Sequence, residues 1–131
     1  MKLPMKVILD TNFLVEAVKA KIDVIQEITK VVDFKPEICI LDKTKGELEK
    51  LIKGKKYFDK LTAKIALNLI DVKGIEVLET KEDKSVDRLL IDLADKEKFV
   101  IATQDKELKR ALKAKGIKRI IIRQKKYIKV E

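Results

Sequence analysis

The sequence predicts an α/β fold of three layers, with helices on both faces of a mainly parallel sheet. Two observations carry that prediction. Apolar, β-rich runs alternate with helical patterns from one end of the chain to the other, the pattern of βαβ units. The first and fourth runs, Met5 to Leu9 and Phe99 to Ala102, are almost continuously apolar, as strands buried on both faces are. No low-complexity linker or internal repeat interrupts the 131 residues, so one domain spanning 1–131 is expected.

The elements follow in order. After the first strand, two helical stretches fit between Asn12 and Val32, and Glu37 to Ile40 forms the second strand. A helix runs through Lys45 to Ile52 and ends near Gly54. Phe58, Leu61, Ile65 and Leu69 recur at helical spacing and mark the next helix. Ile75 to Leu78 is the third strand. Val86, Leu89, Leu90, Leu93 and Ala94 trace an amphipathic stripe before the fourth strand. Leu108, Ala111 and Leu112 do the same before Gly116, a helix terminator. Arg119 to Ile122 is the fifth strand, and Tyr127 to Val130 alternates as an antiparallel edge strand would.

Composition excludes several chemistries. The chain has no histidine, which removes the commonest general base, the usual zinc ligand and every Ser-His or Cys-His arrangement. The one cysteine, Cys39, stands in an apolar run and reads as a buried structural thiol. No apolar run reaches the roughly 18 residues of a membrane helix, and the opening MKLPMKVILD reads as a strand rather than a signal peptide. A cytoplasmic protein with no membrane partner is expected. Lys and Arg total 31 against 22 Asp and Glu, a net charge of +9. That balance favours a polyanion, although lysine- and glutamate-rich surfaces are equally a habit of proteins from hot habitats.

Any chemistry must therefore rest on carboxylates, hydroxyls, lysines and backbone groups, and the positions of the carboxylates are informative. Open parallel sheets bind ligands at the carboxyl ends of their strands, beside the point where strand order reverses. Asp10 directly follows the first strand, and Asp105 follows the fourth by way of Thr103. In a sheet of order 3-2-1-4-5 those two strands are neighbours and the two aspartates face each other. Glu47 lies one turn into the helix after the second strand, and Asp87 in the first turn of the helix after the third. Each of the first four crossings thus supplies an acid at one edge. Asp105 and Asp87 could equally serve as a helix cap and a first-turn acid, whereas Thr11 or Asn12 can cap the first helix and leave Asp10 free. Asp42 competes with Glu47 or joins it, and Asp83 and Asp92 flank Asp87 as secondary candidates.

Carboxylates sharing a cleft need a compensating cation, and oxygen donors without nitrogen or sulfur suit Mg²⁺ or Mn²⁺. Such an ion activates water toward a phosphodiester and stabilises the leaving oxygen. Thr11, Asn12 and Thr103 can support the acids by hydrogen bonding. Receiver domains and aspartate-based phosphatases also place acids at strand ends. The phosphatases want an aspartate where Asn12 stands, and the receivers want paired acids after the first strand.

The blocks Asp10-Thr11-Asn12-Phe13-Leu14, Glu47-Leu48 with Leu51, Asp87 with Leu90 and Ala94, and Ala102-Thr103-Gln104-Asp105 with Leu108 resemble the PIN-domain ribonucleases, in the family's order. The resemblance implies a Rossmann-like sheet in the order 3-2-1-4-5 and an endonuclease that cuts single-stranded RNA with Mg²⁺ or Mn²⁺. It assigns catalysis and metal coordination to Asp10, Glu47, Asp87 and Asp105. Ala102 to Arg110 looks most like the branch that processes ribosomal RNA precursors, with a ribosome-assembly factor as partner. VapC-type toxins, which share the acids, imply an antitoxin instead. A non-catalytic RNA-binding scaffold is the third reading, and family analogy suggests a homodimer.

Basic residues would hold the RNA strand beside so acidic a site. Lys53, Lys55 and Lys56 follow the Glu47 helix, and Lys109, Arg110 and Lys113 lie on the helix behind Asp105. Arg123, Lys125 and Lys126 form another group. Tyr57 and Phe58 read as core or rim residues rather than base-stacking platforms.

Overall fold

A computed structural model provides the fold and describes residues 4–81, 83–94 and 99–131. The chain runs β1 (Pro4–Leu9), α1 (Thr11–Lys19), α2 (Val24–Val31), β2 (Lys35–Leu41), α3 (Asp42–Lys53), α4 (Tyr57–Val72) and β3 (Glu76–Leu78). It continues through α5 (Val86–Ala94), β4 (Phe99–Ala102), α6 (Lys106–Ala114), β5 (Arg119–Arg123) and β6 (Tyr127–Val130). One sheet holds the strands in the order β3-β2-β1-β4-β5-β6, parallel except for the β5–β6 hairpin. This is the expected 3-2-1-4-5 arrangement with the antiparallel strand added at the edge.

Alternation along the central strands builds the three layers. In β1, Val7 and Leu9 face one core with α1, α2, α3 and α4, while Ile8 faces the other with α5 and α6. Because successive strand side chains point to opposite faces, a strand buried on both sides must be apolar throughout. Val7, Ile8 and Leu9 are all fully buried. Cys39 belongs to the α5–α6 side, where its thiol donates to the Val7 carbonyl at 3.4 Å. Burial pushes that thiol up to about 12, so it is inert as a nucleophile. Among the described residues no helix is long and apolar enough to cross a membrane.

Two helices differ from expectation. Helix α3 begins at Asp42, directly after β2, three residues before the helix expected at Lys45. Helix α4 contains the whole expected stripe but buries a different face. Its buried face is Thr62, Ala63, Ala66 and Ile70, whereas Phe58, Leu61 and Ile65 of the expected stripe are exposed. Small side chains let α4 lie close against α1 and α3, so the bulkier residues point outward.

Gly46 sits inside α3, exposed, and a Cβ built there meets nothing within 4 Å. Glycine costs a helix interior about 1 kcal/mol relative to alanine. Gly46→Ala is expected to raise the thermal midpoint by about 3 °C. Scanning calorimetry checks this, and an unchanged or lowered midpoint would show that the backbone here is not relaxed helix.

Candidate active site

The site forms where strand order reverses, between the carboxyl ends of β1 and β4. Leu9 pairs with Ala102, and the Asp10 amide donates to the Ala102 carbonyl at 2.8 Å. That bond keeps Asp10 extended, so helix α1 starts at Thr11 and Asp10 itself is the N-cap. The expected capping by Thr11 or Asn12 is therefore corrected. One Asp10 oxygen accepts from the Thr11 amide at 2.9 Å, the other from the Thr103 hydroxyl at 2.7 Å. Each oxygen keeps a second lone pair for another ligand.

Thr103 is fully buried, and its hydroxyl oxygen accepts from the Asp105 amide at 3.1 Å. Asn12 accepts from the Gln104 amide at 3.0 Å, and the Gln104 side chain pairs twice with the backbone of Ile122. The turn after β4 is thus pinned to α1 on one side and to β5 on the other. Asp105 emerges from it capping α6, with one oxygen 2.9 Å from the Leu108 amide. Capping α6 does not take Asp105 out of the cleft, which it also lines.

Asp10, Glu47, Asp87 and Asp105 all line one open cleft, with Thr11 and Asn12 beside them. Thr11 also bonds Thr44 of α3 at 3.0 Å, which ties the first turn of α1 to the helix that carries Glu47. Electrostatics records the crowding. Burial pushes the Asp10 carboxyl up to about 6, with Asp87 and Glu47 adding to the rise, while Thr103 and Thr11 pull it down. Burial and the Asp87 charge raise Glu47; burial, Asp105 and Glu107 raise Asp87. Acids gathered in a cleft, with carboxyls raised by burial and by one another, make it the candidate functional site.

The secondary acids stand elsewhere. Asp42 accepts from the Thr80 hydroxyl at 2.7 Å and the Thr80 amide at 3.1 Å, tying the start of α3 to the segment after β3. Those bonds hold its carboxyl below the usual range. Asp92 pairs with Lys84 at 3.1 Å and Arg88 at 3.5 Å, and Asp83 is exposed; none of the three lines the cleft.

Two residues that the sequence reading missed do line it. Lys19, at the end of α1, and Asp59, in the first turn of α4, lie 3.6 Å apart at its side. Lys55 and Lys56 border an adjoining depression that shares Leu51 and Asp59 with the cleft, and Lys53 is exposed at the end of α3. Lys109, Arg110 and Lys113 belong to a separate basic depression with Lys106 and Arg119.

Residues 7–125 match the family model described as a PIN like domain. The chain belongs to the PIN-domain family. It is 34% identical to Ribonuclease VapC4 of Methanocaldococcus jannaschii over 95% of both chains. It is 31% identical to the human rRNA-processing protein FCF1 homolog, over 84% of this chain and 52% of that longer protein. The solved structure of the PIN domain endonuclease Utp24 superposes with a TM-score of 0.78 at 29% identity, covering 96% of this chain and 90% of that one.

The cleft of this PIN domain also suits a hard divalent cation. Its donors include carboxylate and hydroxyl oxygens, and one Glu47 oxygen is buried without a hydrogen-bond partner among the described residues. A buried, unpaired carboxylate oxygen is costly unless a cation satisfies it. Among the described residues no three acids stand close enough together to hold an ion as they are, so metal binding would require the cleft acids to draw together.

Proposed function

We propose that this PIN domain is a divalent-metal-dependent endoribonuclease that cuts single-stranded RNA. The observation that carries the reading is the cleft at the β1–β4 switch point, lined by Asp10, Glu47, Asp87 and Asp105. These four would hold Mg²⁺ or Mn²⁺. A divalent ion supplies positive charge against the phosphodiester and acidifies water for attack on phosphorus. The protein residues do the rest. Asp10, held by Thr103 and Thr11, fixes one wall of the cleft. Glu47 and Asp87 orient the attacking water, and Asp105 is positioned by the cap it makes on α6. As the water oxygen bonds phosphorus it gives up a proton to solvent, the P–O bond to the leaving oxygen breaks, and that oxygen takes up a proton from solvent in exchange. Lys19, Lys53, Lys55 and Lys56 offset phosphate charge along the approach, while Lys109 and Arg110 serve a more distant part of the strand.

The RNA we assign is a ribosomal precursor, a reading supported by the similarity to the rRNA-processing FCF1 homologs. The likeness to VapC4 over the whole of both chains supports a second reading, a toxin ribonuclease held by an antitoxin. Copurification with a small antitoxin would decide for the second. The complete acid set argues against a non-catalytic scaffold.

Purified protein is expected to cut end-labelled single-stranded RNA at internal positions with Mn²⁺ or Mg²⁺, and to stop when EDTA is added. Cleavage that persists after exhaustive chelation would overturn the metal-dependent reading.

A further inference from the structure

The two most exposed aromatic side chains of the chain are neighbours. Tyr57 and Phe58, expected at the core or its rim, are 78% and 60% exposed; among the other aromatics only Tyr127 is exposed, at 45%. Both open α4, a helix whose buried face of Thr62, Ala63, Ala66 and Ile70 includes neither ring. Their neighbours fix their place beside the cleft. The Lys19 ammonium lies over the Phe58 ring, 5.7 Å from its centroid, and Lys19 and Asp59 both line the cleft. Just before the pair, Lys55 and Lys56 border the depression that adjoins it. Positions 53–64 carry five lysines against one acid, Asp59. Exposed ring faces in a lysine-rich rim are what single-stranded nucleic acid needs, with cations for its phosphates and flat apolar surface for its bases.

We infer that Tyr57 and Phe58 form a base-stacking platform, each ring taking one unpaired base of an RNA strand whose phosphates lie along Lys55 and Lys56. The inference rests on the ribonuclease reading of the cleft for the identity of the strand, and it adds the feature that requires the strand to be single. Successive helical residues point about 100° apart, so the two rings cannot sandwich one base and each serves its own. Inside a duplex, stacking already covers both faces of a base; an unpaired base offers a free face to a ring. Every base has such a face, so the platform selects strandedness without selecting sequence. Lys19 joins the two parts of the site, lying over the Phe58 ring and lining the cleft.

Binding measured in EDTA, where no cleavage is expected, tests the platform apart from the chemistry. Phe58→Ala and Tyr57→Ala should each weaken binding of oligouridylate about tenfold. Binding of a blunt RNA duplex and the thermal midpoint should stay as in wild type, since both rings are exposed. Stacking releases no counterions, so the salt dependence of oligouridylate binding should also be unchanged in these variants, whereas Lys55→Ala should lower its slope by about 0.7. Phe58→Trp should keep the affinity. In a chain with no tryptophan of its own, its emission should be quenched by oligouridylate and not by the duplex. Wild-type binding of oligouridylate by both alanine variants overturns the proposal and leaves the rings to a protein partner. An equal loss of duplex binding overturns it too, making the rings supports for the lysines. Cleavage by the wild type without quenching in Phe58→Trp overturns the platform alone. Quenching in a protein that never cuts RNA supports the platform and sinks the ribonuclease reading instead.

Discussion

Asp10→Asn is expected to abolish RNA cleavage and, in the same protein, to raise the melting temperature of the metal-free form. The two effects share a cause. Burial and the charges of Asp87 and Glu47 raise the Asp10 carboxyl from 3.8 to about 6, so the fold opposes its ionisation. A group raised in this way contributes its full stability below pH 3.8 and loses it as pH rises through about 6. At pH 7.5 the charged Asp10 therefore costs the metal-free protein up to about 3 kcal/mol, and neutral asparagine removes most of that cost. Asparagine also fits the hydrogen bonds. Its oxygen can accept from the Thr11 amide, and the Thr103 hydroxyl can turn its proton toward Asn12, 3.5 Å away, to receive the new NH₂. Loss of the charge that would hold the cation should lower cleavage about a thousandfold or more. Thermal unfolding between pH 4 and 8 gives the check. Wild-type protein in EDTA should lose stability across that range and regain it with Mg²⁺, while Asp10→Asn should show a flatter profile and little response to metal. A variant that melts lower than wild type in EDTA at pH 7.5 would refute this account of the site.

The position of the cleft was legible because backbone topology alone fixes it. Asp10 and Asp105 follow strands whose apolar composition demands burial, and a parallel sheet leaves few places for such strands except side by side at its centre. Asp87 was legible for a related reason, since the stripe from Val86 to Ala94 fixes both the start and the buried face of α5. The choice between Asp42 and Glu47 was not. Both follow β2, and what separates them is Thr80, 38 residues away, whose amide and hydroxyl occupy Asp42. Lys19 and Asp59 were invisible because they meet only through the packing of α1 on α4. The phase of α4 misled for a physical reason as well. A stripe of large residues is the usual sign of a buried face, but Ala63 and Ala66 bury easily too, and the closer approach they allow decided the packing.

Thr103 is where the legible and illegible parts of the site meet. Its hydroxyl has one proton, which goes to Asp10 at 2.7 Å in preference to Asn12 at 3.5 Å, while its oxygen accepts from the Asp105 amide. One buried group thus sets the positions of two acids that arrive from different strands. Thr103→Val keeps the volume but leaves one Asp10 oxygen without its donor and the Asp105 amide without its acceptor, while the Thr11 amide still holds the other Asp10 oxygen. We expect a loss of about 1–3 kcal/mol in stability and a fall of about 10- to 100-fold in kcat, with KM for RNA little changed. Thr103→Ser restores the hydroxyl and should recover most of the rate, which a purely packing role for the side chain would not allow. The pH profile gives a second readout. Thr103 lowers the Asp10 pKa, so its removal should carry the acidic limb of the rate profile toward higher pH. Should Thr103→Val cut RNA at the wild-type rate with the same acidic limb, Asp10 would have to be positioned by something other than this hydroxyl, and the coupling of the β1 and β4 ends through it would be wrong.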